Sequence, residues 1–396
     1  MLRSVSQLDL EGRTVFLRVD FNVPLAEGAI AEPHRIDGAL PTIEYLLEKS
    51  ARLVIASHLG RPGGKPDPRW SLAPVQRYLE RKLSRPVRLA PDCVGPEVRQ
   101  QLLADPEGST ILLLENLRFH SGEEANDPEF AAALAGLAAV YVNDAFGAAH
   151  RAHASTAGMV GHFREKAAGF LFCREVEYLS RVLKAPERPV AAVLGGAKVS
   201  DKIGILKNLI PRVDLILVGG AMAYTFLHAR GVAVGRSLLE KDSLAVARDI
   251  MDEAERSAVP FLLPVDHIAA ADPDGGGRGA TPGPSIPEDR MGLDIGPRTA
   301  ALFADRLADA AMVLWNGPLG LFEREPFRHG TTAVARSLGA SAATSVIAGG
   351  DTVAAVGLAG AAGDMTHLST GGGAALEFLE GRTLPGVQAL ETDEPA

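Results

Sequence analysis

The sequence predicts an α/β protein of two doubly wound, Rossmann-like parallel-sheet domains joined by a hinge. Three observations carry this reading. Short, continuously apolar, β-branched runs recur along the 396 residues, with segments of helical periodicity between them. Strands that are apolar on both faces and separated by helices belong to a parallel sheet covered on both sides. Ten such runs crowd a single sheet, and the length suits two domains of about 100–200 residues each.

In chain order the first set of strands is predicted at 15–19, 53–56, 111–114 and 140–142. A second set follows at 190–194, 215–218, 261–265, 312–315, 345–347 and 367–369. Helices are predicted between them, at 38–49, 73–82, 128–138, 201–209 and 239–256. These elements divide the chain into an N-terminal domain (1–171), a linking helix and hinge (172–189) and a C-terminal domain (190–376). The Gly/Pro-rich stretch 272–287 is predicted as a mobile surface loop, and the acidic end 391–396 as a frayed tail.

Composition excludes several classes. With 46% hydrophobic residues the chain is not disordered, and a net charge of −9 opposes broad nucleic-acid binding. Cys93 and Cys173, with no histidine beside either in sequence, suggest neither a disulfide framework nor a zinc knuckle. The first residues lack the apolar core of a signal peptide and no apolar run reaches the ~18 residues of a membrane span, so a cytoplasmic protein is expected. Of 40 cations only 9 are lysine, a bias that a GC-rich coding sequence explains, so each retained lysine merits inspection.

Ligands of open parallel sheets bind at the carboxyl ends of strands. In the first half those ends carry Asp20 and Asn22, His58 and Arg61, Asn116 and Arg118, then Asn143 and Asp144 followed by Arg151. Arg35 is predicted on a loop just ahead of a helix. Any one arginine is explained by a solvated surface. Guanidinium forks on several strand-end loops describe instead a site for a small polyanion. In the second half the ends are Gly195-Gly196 with Lys198, Gly219-Gly220, Asn316-Gly317-Pro318, Gly349-Gly350-Asp351-Thr352 and Gly371-Gly372-Gly373. Glycine commonly ends strands for geometric reasons alone, but at five of six ends it forms a consistent surface for nucleotide phosphates.

No G-x-G-x-x-G and no P-loop occur. Lys198 and Lys202, four apart in GGAKVSDK, are predicted on one face of a helix start, either reaching for phosphate or simply solvated. Asp351 is the candidate Mg²⁺ ligand, its alternative being a helix N-cap. Glu323 is a candidate ribose-hydroxyl acceptor or a solvated carboxylate. His150 and His153 read as hydrogen-bonding or stacking residues rather than metal ligands.

These segments together resemble the phosphoglycerate kinase family over essentially the whole chain. The matching stretches are RVDFNVPL, RIDGALPTI, ASHLGRP, LENLRFH, VNDAFGAAHRAHAS, GGAKVSDKIG, GGAMAYTF, MGLDIGP, WNGPLGLFE, GGDT, STGGGAALEFLEG and LPGV, in family order. The resemblance implies a 3-phosphoglycerate site of Asp20, Asn22, Arg35, His58, Arg61, Arg118 and Arg151. It implies a nucleotide site lined by Lys198, Lys202, Gly292, Glu323, Gly349, Gly350, Asp351 and Thr352, which the strand-end residues Gly196, Gly219, Asn316 and Pro318 extend. The segment 377–396 is expected, on the same ground, to return to the N-terminal domain.

The implied reaction is reversible phosphoryl transfer between 1,3-bisphosphoglycerate and ADP, giving 3-phosphoglycerate and ATP, with Mg²⁺ as cofactor, in glycolysis and gluconeogenesis. Arg35, Lys198 and the N–H groups of Gly371, Gly372 and Gly373 are the implied catalytic set, acting in a monomer after domain closure about 172–189 and 369–377. The sequence departs from the family pattern at Glu32-Pro33-His34 before Arg35, at Arg290 before MGLD, and in the Gly-rich loop. Two rival classes are a dinucleotide-dependent dehydrogenase, which the missing G-x-G-x-x-G opposes, and a non-catalytic binding protein, which the complete set of charged residues opposes.

Overall fold

The computed structural model describes residues 2–184 and 186–391, so most of the acidic tail (392–396) lies outside the described residues. The chain divides into two compact units, Met1–Val176 with Thr383–Ala396, and Glu177–Arg382. The division falls inside the helix Phe170–Lys184, within the segment 172–189 expected to link the domains. The helix Gly373–Leu379 groups with the second unit, and Thr383 opens the segment that groups with the first.

The first unit is built on a six-stranded parallel sheet in the spatial order Val87–Leu89, Ile111–Leu113, Arg52–Ala56, Thr14–Arg18, Val140–Asn143, Glu165–Ala168. Thr14–Arg18 and Val140–Asn143 are buried at every residue, as strands covered on both faces must be. Two strands, Val87–Leu89 (VRL) and Glu165–Ala168 (EKAA), were not predicted. They are short edge strands in which charged residues interrupt the apolar run that marks a central strand. A small hairpin, Leu25–Ala26 with Ala29–Ile30, turns at Glu27 and Gly28, both at positive φ (51° and 75°).

The helix after that hairpin spans His34–Glu48 and starts four residues before the predicted 38. The Pro33 carbonyl accepts from Ile36 N (2.8 Å) and Asp37 N (2.9 Å), which closes the first turn early. Arg35 therefore sits in the first turn of a helix and not on a loop. Ile36, Ala39, Ile43 and Leu46 bury one face of this helix into the core.

The second unit carries another six-stranded parallel sheet, ordered Phe261–Leu262, Leu215–Val218, Val190–Leu194, Met312–Asn316, Thr344–Ala348, His367–Leu368. Its strand order reverses between Val190–Leu194 and Met312–Asn316, which opens a crevice at their carboxyl ends. Beside this parallel sheet, His267–Ala270, Gly279–Ala280 and Met291–Ile295 form a three-stranded antiparallel sheet that was not predicted. The stretch predicted as a mobile loop (272–287) contributes the strand Gly279–Ala280 to that sheet, since ladder bonds to Ile268 and Ala269 need no apolar side chains. No helix of the described residues is long and apolar enough to cross a membrane.

Close backbone packing holds the strand ends of this sheet together. Gly195 N donates to Asn316 O (2.9 Å), Gly196 N to Pro318 O (2.9 Å) and Gly220 N to Leu319 O (3.0 Å). Gly317 has φ +101°, and a Cβ there would lie 2.2 Å from Gly195 O. Gly350, by contrast, has open space where a Cβ would go. Gly317→Ala is therefore expected to lose about 3 kcal/mol of stability and Gly350→Ala to stay within about 1 kcal/mol of the parent. Urea unfolding of the two variants measures the contrast.

Candidate functional site

In the first unit the loops after three adjacent strands are tied to one another by their predicted site residues. Gly60 N donates to Asn22 Oδ1 (2.9 Å), and Arg118 donates to Gly60 O (2.9 Å). Arg35 donates to Asp20 Oδ2 (3.0 Å) and to Asn22 O (3.3 Å), so its guanidinium is held over the loop that follows Thr14–Arg18. Asn116 accepts from Arg118 N (3.0 Å) and donates to Leu59 O (2.7 Å), which makes it the residue that orients Arg118. Arg61 and Arg151 are exposed on their loops, and Arg151 Nε bonds His150 Nε2 (3.2 Å). Asn143 and Asp144 instead serve the fold. Both are fully buried, bonding Ala145 N (2.9 Å) and Phe172 N (3.0 Å), and burial pushes the Asp144 carboxyl up to about 6.

Beneath these loops runs a buried charged network that the sequence reading missed. Arg18, with no exposed surface, donates through Nε to Ser155 Oγ (2.7 Å), and Ser155 Oγ donates to Glu123 Oε1 (2.6 Å). Arg18 also bonds the Val19 carbonyl and His58 Nδ1, the latter at 3.2 Å. A guanidinium can only donate, so His58 Nδ1 is an acceptor and its ring proton sits on Nε2. Burial, then the charges of Arg18 and Arg118, hold the His58 pKa well below the usual range. Burial followed by Arg118, Arg18 and Arg151 lowers His153 to about 4. Both histidines are thus neutral at neutral pH, surrounded by cations that repel one another. The signal for Arg18 was present, as a lone charge inside the otherwise apolar run TVFLRV.

In the second unit Gly196, Gly292, Pro318, Glu323 and Asp351 line one cleft of about 490 Å³, walled by Tyr224, Met291 and Leu321. The cleft lies at the crevice where the strand order reverses. Asp351 is exposed in the first turn of the helix Gly350–Leu358; the N-cap is Gly349, so the capping alternative for Asp351 fails. Thr352 locks the strand end, accepting from Gly317 N (2.7 Å) and donating to Ala348 O (2.8 Å).

Lys198 and Lys202 do not share a helix face. Lys198 is exposed on the bend after Val190–Leu194, whereas Lys202 is buried at the end of a 3₁₀ turn, its Nζ against Asn316 Oδ1. Burial pulls the Lys202 ammonium below its usual range, against the opposing charges of Asp201, Asp351 and Glu380. Glu240, another residue missed, fixes the Lys198 bend by accepting from Val199 N (2.5 Å), Ser200 N (3.1 Å) and Ser200 Oγ (2.7 Å). Burial opposes ionisation of Glu240, but those bonds and the charge of Lys198 hold its carboxyl below the usual range.

Several of the strand-end glycines are packed tightly against protein atoms. Gly219 packs on Leu319, and Gly195, Gly220 and Gly317 pack on one another's strand ends, while Gly196 and Gly350 have open space above them. Gly371 N donates to Ser369 Oγ (3.1 Å), and Gly372 takes φ +51° just before the helix Gly373–Leu379. A larger cavity of about 670 Å³ in this unit, lined by Ile295, Ala300, Ala304 and His329, contains none of the predicted residues.

The family model described as phosphoglycerate kinase matches residues 5–382. The chain belongs to the phosphoglycerate kinase family. It is 55% identical to a phosphoglycerate kinase of Anaeromyxobacter dehalogenans over 394 residues, covering 98% of this chain and 99% of the relative. It is 50% identical to one from Koribacter versatilis over 400 residues, covering 98% of each. Its fold is similar to the structure of phosphoglycerate kinase from Coxiella burnetii (TM-score 0.89, 42% identity, covering 98% of this chain and 99% of that one). It is also similar to that from Pyrococcus horikoshii OT3 (TM-score 0.81, 32% identity, covering 98% of each). Membership of this phosphoglycerate kinase family makes the chain a phosphate-transferring kinase with nucleotide substrates.

The neutral histidines of the first unit give this family member a pH dependence of known sign. Between the usual 6.5 and the folded value of about 4, the unfolded chain takes up a proton that folded His153 refuses. Stability is therefore lost as pH falls through that window, by up to about 3 kcal/mol for this one group. The stability advantage of the parent over His153→Gln is expected to shrink from about pH 7 to about pH 4, as read by urea unfolding at each pH.

Proposed function

We propose that this chain catalyses the reversible transfer of the acyl phosphate of 1,3-bisphosphoglycerate to ADP, giving 3-phosphoglycerate and ATP, the glycolytic and gluconeogenic reaction. A terminal oxygen of ADP attacks phosphorus, the bond from phosphorus to the carboxyl oxygen breaks, and 3-phosphoglycerate leaves as a carboxylate. Such a transfer needs no protein nucleophile, only positioning and neutralisation of charge. The observation that carries the reading is the joining of Arg35, His58 and Arg118 by the three loops at adjacent strand ends. Arg18, Arg118, Arg35 and His153 all act electrostatically on His58, so these groups share one neighbourhood suited to a phosphorylated acid.

The nucleotide is assigned to the cleft of the second unit. Its apolar wall of Met291, Leu293 and Leu321 suits a base, and Glu323, which lines the same cleft, is assigned to accept from a ribose hydroxyl. Lys198 and Lys202 are assigned to phosphate oxygens. Asp351 fits the hard-cation chemistry of Mg²⁺, being an exposed carboxylate at the cleft beside a glycine with open space above it. When bound there with the nucleotide, Mg²⁺ supplies charge neutralisation to the phosphates. Arg35 acts on the carboxyl side of the transfer, Lys198 on the nucleotide side, and the N–H groups of Gly371, Gly372 and Gly373 on the oxygens of the moving phosphoryl. The two ligand sets belong to separate units, so the proposed transfer requires the units to bring them together.

A coupled assay of ATP consumption with 3-phosphoglycerate tests the activity itself, and its absence refutes the assignment. Arg35→Ala is expected to lower turnover roughly a hundredfold or more, about 3 kcal/mol of transition-state stabilisation, with nucleotide affinity retained. Lys198→Ala is expected to lower turnover likewise; unchanged kinetics return Lys198 to a solvated surface residue. Small-angle scattering should register compaction only with both substrates present.

A further inference from the structure

Outside both assigned sites, Asp92, Cys93 and His120 each offer a ligand atom, and these atoms all lie within 4.8 Å of one another. They are a carboxylate oxygen, a thiol sulfur and an imidazole nitrogen, brought together from two loops. Asp92 and Cys93 follow the edge strand Val87–Leu89, and His120 closes the turn Leu117–Phe119. His120 Nε2 is 2.5 Å from Asp92 Oδ1, and its ring stacks on Phe130 at 4.8 Å, which fixes the imidazole plane. Cys93 Sγ lies 3.0 Å from the Glu115 carbonyl oxygen.

Burial and access are divided among the three. Cys93 is wholly buried, whereas the side chains of Asp92 and His120 are 49% and 31% exposed, so a cation can approach from the carboxylate side. Burial, then the charges of Asp92, Glu123 and Glu115, push the thiol up. Mg²⁺ prefers oxygen ligands and does not select a thiol, while a mixed oxygen, nitrogen and sulfur set suits borderline-soft divalent ions.

We propose that Asp92, Cys93 and His120 form a binding site for a thiophilic divalent cation of the zinc class. On binding, the S–H bond of Cys93 breaks, its proton leaves to solvent and a metal–sulfur bond forms, with no change of oxidation state. The Asp92–His120 bond opens as both groups turn to the ion, since tetrahedral zinc holds its ligand atoms roughly 3.5 Å apart. Three protein ligands leave one position for water. The site also touches the substrate loops, because His120 N caps the turn that carries Arg118, donating to Leu117 O at 3.2 Å.

Cobalt(II) is the probe, titrated into the full chain carrying Cys173→Ser so that Cys93 is the sole thiol. The expected result is a thiolate-to-cobalt charge-transfer band in the near ultraviolet with intense tetrahedral bands in the visible, both abolished by added Zn²⁺. Adding Cys93→Ser should remove the charge-transfer band, and His120→Asn should weaken cobalt binding by roughly tenfold or more. Circular dichroism of each variant confirms that the fold is kept, and His120→Asn, at a partly exposed position, carries the test if Cys93→Ser does not fold. No charge-transfer band in the Cys173→Ser protein, or cobalt affinity unchanged by His120→Asn, overturns the proposal.

Discussion

Arg18 pairs with Ala56 on one side and Asn143 on the other, and Asn316 pairs with Leu194 and Ala348 in the same way. In each sheet three strands therefore stop at one level, and the chemistry begins just beyond it. Past that level the backbone has no ladder partner, yet its buried N–H and C=O groups still require one. The first unit meets this need with side-chain amides: Asn22 takes Gly60 N, Asn116 serves Leu59 O, and Asn143 takes Ala145 N. The second unit meets it largely by packing backbone on backbone, with Asn316 and Thr352 closing the remaining gaps.

The two solutions produce two kinds of surface. Amide-tied loops leave room for long side chains to converge, which gives the first unit its guanidinium and imidazole groups. Loops knitted through glycine leave a smooth wall, in which a few positions such as Gly196 and Gly350 stay uncovered. Charge is handled differently as well. Buried Arg18 is balanced through Ser155 by buried Glu123, while Lys202 is balanced at longer range by Asp201, Asp351 and Glu380.

Much of this was legible in the sequence because a parallel sheet writes its strands as apolar runs and its ligands as the residues that follow them. Asp20, Asn22, Arg35, His58 and Arg118 were all found by reading past strand ends, and the structure links them through shared loops. What escaped had a common cause. Val87–Leu89 and Glu165–Ala168 are strands by hydrogen bonding, without the apolar pattern. Gly279–Ala280 pairs although its surroundings read as loop, since ladder bonds do not depend on side chains. Glu123, Ser155 and Glu240 act at long sequence distance, 32 residues in the case of Ser155 to Glu123, where no spacing rule reaches. The glycines misled in the other direction, because close backbone contact and room for a ligand demand the same residue.

Arg18 and Arg118 crowd both uncharged imidazoles, with Arg151 beside His153, and the carboxylates of Glu123 and Glu124 offset only part of the repulsion that the fold of the first unit carries. On the proposed assignment, a phosphorylated acid settling among these groups removes part of that repulsion as it binds. Its concentration thereby enters the unfolding equilibrium of the unit, by mass action. Scarcity of metabolite then exposes the chain to proteolysis more often, and abundance protects it. If the proposed assignment holds, the cations assigned to the phosphorylated acid also couple the lifetime of the protein to its supply.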